Sequence, residues 1–162
     1  MVRVGGLTKT ALLARLREQG VRLNALAEDL FAHPAFRPEP EAREVDVAFV
    51  TVAELGFADG ATYPQLVARA VESGLVECPL ELGPYLRLQC LDQPEVVDAP
   101  PRTRPGSPPG SLTVASAPLD DSVETPKGFY LRRVDGEPWL RGYRADSEHV
   151  WSPQDALVFR VA

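Results

Sequence analysis

The dipeptide Asp135-Gly136, set between Phe129 to Val134 and Pro138 to Tyr143, constrains this chain more than any other feature. Two runs rich in aromatic and β-branched residues around an Asp-Gly pair predict an antiparallel hairpin with a two-residue turn, because that turn needs left-handed backbone at both central positions. With Asp135 and Gly136 in the turn, Val134 faces Glu137. Pairing then runs outward as Arg133 with Pro138, Arg132 with Trp139, Leu131 with Leu140, Tyr130 with Arg141 and Phe129 with Gly142. Side chains alternate across a strand. One face therefore carries Phe129, Leu131 and Leu140, the expected core side, and the other carries Tyr130, Arg132, Trp139, Arg141 and Tyr143.

The second face sets arginine against tryptophan and tyrosine against arginine, pairs worth about 0.5 to 1 kcal/mol each when a guanidinium lies over an exposed ring. Two readings compete. In one the arginine stems shield aromatic surface while their heads stay in water. In the other the face recognises another protein or a small anionic or aromatic ligand, since Trp, Tyr and Arg are the types enriched at binding hot spots. Arg87 and Trp151 are expected near that face. Nucleic acid is disfavoured by charge: the chain carries 17 basic and 23 acidic residues, and residues 37–126 hold six of the former against fifteen of the latter. A phosphate backbone would need a basic stripe instead.

Thr8 caps an expected helix over Lys9 to Gln19, and a second runs from Leu23 or Asn24 to Ala32, stopped by Pro34. Glu28 and Asp29 on the second helix argue for a structural helical hairpin and against a DNA reader. Val45 to Val50 reads as a strand. Thr51 with Glu54 and Thr62 with Gln65 have capping-box spacing, the latter opening a helix to Ser73. Leu86, Leu88 and Cys90 alternate within Tyr85 to Leu91, the pattern of a half-buried strand. Residues 92–110 hold six of the sixteen prolines and read as a loop or linker between 1–91, a helical and mixed half, and 111–162, an antiparallel β half, which together form one compact domain. Ser111 to Ser116 and Leu157 to Val161 are further strands, and Ser152 to Asp155 has the chemistry of a one-turn helix cap. The expected class is α+β: an N-terminal helical hairpin, then a mainly antiparallel sheet with one packed helix.

Signals for chemistry are sparse. The sequence has no phosphate-binding loop, no Gly-x-Gly-x-x-Gly after a strand and no Gly-x-Ser-x-Gly elbow, so no cofactor is expected. Cys78, Cys90, His33 and His149 lack the spacing of a zinc site, so no metal is expected either. The alternative to a binding module is a small hydrolase or transferase with His149 as base beside Asp146 and Glu148, and Ser147 or Ser152 as nucleophile. No apolar run approaches the roughly 18 residues of a membrane span, and no export signal precedes Lys9, so the expected location is the cytoplasm, with both thiols reduced.

Leu86-Arg87-Leu88-Gln89, Asp92-Gln93-Pro94, Gly128-Phe129-Tyr130-Leu131-Arg132, Trp139-Leu140-Arg141-Gly142-Tyr143 and Trp151-Ser152-Pro153 with Phe159 resemble a group of small bacterial proteins of unknown function. Leu23-Asn24 and Glu54-Leu55-Gly56 extend the resemblance over most of the chain. Some of that group carry a helicase label, which these residues do not support because a helicase motor needs a phosphate-binding loop and a far longer chain. The resemblance implies a bacterial setting and transfers no catalytic residue.

Overall fold

A computed structural model describes residues 1–96 and 107–162. In chain order the elements are β1 (Val2–Val4), α1 (Lys9–Glu18), β2 (Arg22–Leu23), α2 (Ala25–Ala32), β3 (Arg43–Val45), β4 (Val47–Thr51), β5 (Ala61–Thr62) and α3 (Tyr63–Glu72). They continue as β6 (Leu75–Val76), α4 (Leu82–Gln89), β7 (Leu112–Val114), β8 (Gly128–Val134), β9 (Glu137–Tyr143), β10 (Val150–Trp151) and β11 (Ala156–Val161). The class is α+β. The main sheet has the order β2-β9-β8-β7-β11-β4, with β6 on the far end of β11. Its pairings are antiparallel except β2 with β9 and β7 with β11. β1 pairs with β3, and β5 with β10, as separate two-stranded ribbons.

Local chemistry sets the helix starts. Thr8 accepts from the Ala11 N–H and Asn24 from the Ala27 N–H, while Thr62 and Gln65 form the reciprocal capping box. The hairpin has the expected register at every pair from Val134 with Glu137 to Phe129 with Gly142. Asp135 (φ 51°) and Gly136 (φ 75°) both take left-handed backbone, as a type I′ turn requires.

The sheet separates two apolar clusters. One lies under α1, α2 and α4 and includes Leu12, Leu30, Phe31, Leu82, Phe129, Leu131, Leu140 and Val158. The other lies under α3 and includes Leu66, Ala70, Trp151, Leu157 and Phe159. β11 is buried on both faces: Val158 joins the first cluster, and its neighbours Leu157 and Phe159 the second.

Four local expectations are corrected. Residues 85–91 are not a strand: α4 occupies Leu82–Gln89, with Leu82, Tyr85 and Leu86 on a helical face and Pro84 in the first turn, where a missing N–H costs nothing. The two-residue alternation of Leu86 and Leu88 is the strand period, but Leu82, Tyr85 and Leu86 have the three- and four-residue spacing of a helix face, and packing against β1, α1, β8 and β9 selects it. The first two helices form no hairpin, because β2 intervenes and joins the sheet beside β9, so α1 packs on α4 and α2 on β9. The valine-rich run breaks at the exposed Asp46, whose carbonyl accepts from the Val161 N–H (2.8 Å), sending β3 to β1 and β4 to β11. Ser152 to Asp155 is a turn closed by Asp155, whose Oδ2 accepts from the Ser152 N–H (2.9 Å). Among the described residues no helix is long and apolar enough to cross a membrane.

Candidate binding face and aromatic pocket

The register of β8 and β9 divides their side chains as the alternation predicts. Phe129, Leu131 and Leu140 have no exposed surface, while Tyr130, Arg132, Trp139, Arg141 and Tyr143 are half-buried on the opposite side. Rows of paired residues cross the sheet there: Arg141, Tyr130, Thr113, Leu157 and Val50 form one. Arg22, Trp139 and Arg132 form the next. The Leu157 end of the first row belongs to the cluster under α3, and of the five hairpin residues only Tyr143 packs against that cluster. The Arg141 guanidinium lies 5.8 Å from the Tyr130 ring centroid and 5.2 Å from that of Trp139. Glu137 is taken by Arg22 (2.6 Å), and among the described residues neither Arg132 nor Arg141 has an ion pair.

The polar atoms of this face are short of acceptors. Arg132 Nε, Trp139 Nε1, Arg141 Nε, Tyr143 Oη and, from β10, Trp151 Nε1 are all buried with no hydrogen-bond partner among the described residues. Each is a donor. Buried donors are nearly always satisfied in folded proteins, and each one left unmade costs about 1 to 3 kcal/mol. Four of the five belong to the hairpin and the fifth to β10.

At the Tyr143 end of the hairpin the face deepens into a cavity of about 220 Å³ lined by Thr113, Tyr130, Tyr143, Arg144, His149 and Trp151 among others. Its rings stand on edge to one another. Tyr143 and Trp151 are 5.6 Å apart at 89°, His149 and Trp151 5.4 Å at 79°, and Tyr130 and Tyr143 6.2 Å at 61°. Trp151, expected near the face, belongs to this cavity and is only 3% exposed. The β5–β10 ribbon and the second core hold it there.

Arg87, also expected near the face, lies elsewhere. It is 0% exposed within α4, under the sheet, and donates to Gln93 Oε1 (2.7 Å), the Trp139 carbonyl (3.2 Å) and the Cys90 carbonyl. Burial, the largest influence, pulls its pKa down. A guanidinium so committed braces the hairpin from behind.

His149, Asp146 and Glu148 line one open surface cleft together with Val123, Arg144 and Ala145. Asp146 Oδ1 accepts from the N–H groups of Glu148 (3.0 Å) and His149 (2.9 Å), which spends the carboxylate on shaping an exposed loop. Among the described residues the His149 ring has no hydrogen bond, and its contact is with Trp151. Ser147 is exposed, while Ser152 is buried with its hydroxyl on Gln154. Neither is placed as a nucleophile activated by His149.

Sequence reasoning did not find a buried polar cluster behind the cavity. Lys127, 7% exposed, donates from Nζ to the Ser116 carbonyl (2.8 Å) and lies 3.5 Å from the Tyr63 ring centroid. Tyr63 Oη donates to Glu77 Oε2 (2.6 Å) and lies 3.2 Å from the same carbonyl, and the Lys127 N–H donates to the Tyr143 carbonyl (2.7 Å). Tyr63 thus packs as expected and also anchors a glutamate. Burial raises the Tyr63 and Tyr143 phenols and lowers the Lys127 amine to about 8, with Glu77 opposing the latter shift. The only local sign of Lys127 is its place at the start of a strand. Its burial comes from α3 and Ser116, 64 and 11 positions away in the cases of Tyr63 and Ser116.

The depressed Lys127 pKa makes a pH-dependent difference testable. The folded protein prefers the neutral amine, so the cost of burying the charge is fully present below pH 8 and disappears as pH rises toward the unfolded value near 10.5. Relative to Lys127→Met, the native chain is expected to gain about 3 kcal/mol of unfolding free energy between those limits. Urea unfolding of both proteins at pH 7 and pH 10 measures this, and a difference constant with pH would show that Lys127 is charged throughout. Cys78, whose thiol burial pushes up to about 12, weakens both proteins alike above pH 9 and cancels from the comparison.

Among the described residues no three His, Cys, Asp or Glu side chains gather as a metal site. Compared with protein-family models, curated proteins and solved structures, the chain matches none. Its functional reading therefore rests on geometry.

Proposed function

We propose that this chain is a small non-enzymatic binding or regulatory module whose working surface is the hairpin face of Tyr130, Arg132, Trp139, Arg141 and Tyr143, extended by Trp151. The observation that carries this reading is the half-buried array of rings and guanidiniums on that face, where Arg141 lies over the Tyr130 and Trp139 rings and, among the described residues, neither Arg132 nor Arg141 has an ion pair. A partner that pairs with those guanidiniums or stacks on those rings suits it: a small anionic or aromatic ligand, or a protein that presents carboxylates and carbonyls. Stacking of Arg141 between Tyr130 and Trp139 holds the guanidinium in place, which lowers the ordering entropy lost on binding. The net charge of -6 weighs against a nucleic-acid backbone. Free thiols at Cys78 and Cys90 fit the reducing cytoplasm.

The double variant Trp139→Ala with Arg141→Ala is expected to keep the native far-UV spectrum and cooperative unfolding, because both side chains are half-buried and contact each other. It is also expected to lose a partner that the native protein retains from cell extract and that cross-links to β8 or β9. Retention of that partner by a folded double variant would refute the assignment, and so would collapse of the fold, which would make the pair core residues.

A further inference from the structure

A cleft of about 740 Å³ opens between β1, the Gly5-Gly6 turn, α1 and the end of α4, and it shares no residue with the hairpin face or the cavity beside it. Its volume lies within the roughly 300 to 1,000 Å³ of small-molecule sites. Leu7, Ala42 and Leu88 supply apolar lining and Tyr85 a ring, while Arg3 and Arg15 supply charge. No Asp or Glu is among the lining residues. Both arginines are exposed, and among the described residues neither has an ion pair. The carboxylates around the cleft have other places. Glu81, one turn before Tyr85, accepts from the Glu39 N–H (3.0 Å) and pairs with Arg43 (3.4 Å). Glu44 stands opposite Arg3 in the β1–β3 ribbon without an ion pair to it, and Glu18 and Glu41 are exposed outside the lining, where water screens them.

Both guanidiniums come from elements seated on α4. Gln89 holds the Arg3 backbone from both sides: its Oε1 accepts from the Arg3 N–H (3.0 Å), and its Nε2 donates to the Arg3 carbonyl (2.7 Å) and the Tyr85 carbonyl (3.1 Å). Arg15 is carried by α1, which packs on α4. Tyr85 Oη accepts from the Leu7 N–H (3.1 Å), tying the turn to the same helix. Burial, the largest influence, raises the Tyr85 phenol, and the Arg15 charge is among those that lower it, which sets that guanidinium close to the ring. A Cβ at Gly5 would overlap the Glu41 carbonyl, so glycine there lets Ala42 close over the turn as one wall.

Two unpaired guanidiniums beside an apolar lining select an anion with an organic body. A phosphate monoester matches them better than a carboxylate, because it carries a charge of about -1.5 to -2 at pH 7 and three acceptor oxygens. Planar guanidinium forks bond such oxygens in pairs. We propose that this cleft is a binding site for a small phosphate monoester, its phosphate held by Arg3 and Arg15 and its organic body against Leu7, Tyr85 and Leu88. The inference is independent of the reading of the hairpin face.

Phenyl phosphate added to the ¹⁵N-labelled full chain tests it. The ligand is expected to move the Gly5, Gly6 and Leu7 amide signals and the Arg3 and Arg15 Nε–H signals, saturating in about the millimolar range. Arg3→Gln and Arg15→Gln each remove one Nε–H signal, which assigns them, and each should weaken phenyl phosphate about tenfold. Inorganic phosphate is expected to bind more weakly because it leaves the apolar lining uncovered, and benzoate because it brings a single charge. Phenyltrimethylammonium, with the ring but the opposite charge, should leave all these signals in place. Unmoved signals in the native protein overturn the inference whether or not the variants fold. So does native affinity in a folded Arg15→Gln protein, or binding of inorganic phosphate or benzoate as tight as that of phenyl phosphate. A response centred on Trp139, Arg132 or Arg141 places the ligand on the hairpin face, which overturns this inference and leaves the reading of that face standing.

Discussion

Replacing Arg87 with alanine is expected to destabilise the protein by about 3 to 5 kcal/mol, the range for breaking a buried charged network and leaving a cavity. Arg87 is the largest of the fully buried side chains, and its N–H groups hold Gln93 Oε1, the Trp139 carbonyl and the Cys90 carbonyl. Gln93 passes the connection on, donating to the Gly110 carbonyl (2.9 Å) and the Leu131 carbonyl (3.1 Å). One substitution therefore loosens α4, the residues flanking the proline-rich segment, and both strands of the hairpin. Arg87→Met separates the two causes, since it keeps most of the buried volume and removes only the donors. Its expected loss is about 1 to 3 kcal/mol, the cost of acceptors left unmade. Denaturant midpoints of the two variants measure both quantities. Equal losses would mean that packing contributes nothing at this site.

Gly142→Ala is expected to cost about 2 to 4 kcal/mol, because a new methyl group there meets backbone that cannot rotate away. A Cβ at this position would lie 2.6 Å from the Leu26 carbonyl carbon and 2.7 Å from the Ala27 nitrogen, in the first turn of α2. That turn is clamped to the strand by Asn24, whose Oδ1 accepts from both the Gly142 N–H (2.8 Å) and the Ala27 N–H (2.8 Å). Asn24 Nδ2 donates to the Gly142 carbonyl (3.0 Å). The helix cannot move outward without stretching these bonds. Gly136→Ala is the control: it has open space around it and a φ of +75°, so its cost is backbone strain alone, about 1 kcal/mol. A Gly142→Ala loss no larger than that of Gly136→Ala would show that α2 does not seat on β9 as closely as the geometry indicates.

The proposed face and the cavity at its end form one surface with a graded character. Along β9 the side chains run from Trp139 through Arg141 to Tyr143, about 13 Å of strand. Its side chains are a guanidinium over the Trp139 ring at one end and rings set on edge to one another at the other. Behind it, Arg87 and Lys127 are buried cations bonded to carbonyls and an amide, and they fix the strands from the core side and from the β8 terminus. The proposed surface thus stands on strands rather than on a loop, the placement that holds a binding array in fixed geometry.

Sequence alone determined what depends on neighbours a few residues apart. The hairpin register follows from Asp135-Gly136, because a two-residue turn leaves one pairing consistent with the alternation, and with it came the membership of the candidate face. The starts of α1, α2 and α3 follow from Thr8, Asn24 and Thr62, whose side chains satisfy N–H groups two or three positions on. Tertiary structure decided what depends on distant partners. Leu86 and Leu88 by themselves read as a strand, and α4 exists because Leu82, Tyr85 and Leu86 share a helical face that packs on β1 and the hairpin. Two-residue strands such as β2 and β10 carry too little pattern to be seen without β9 and β5 beside them. Arg87 looked like a surface charge because burial depends on what packs around a residue, and its acceptors at positions 132 and 139 are more than forty residues away. The cavity joins Thr113, Tyr130, Tyr143 and Trp151 from four separate strands, an assembly that only the sheet order and the β5–β10 ribbon bring about.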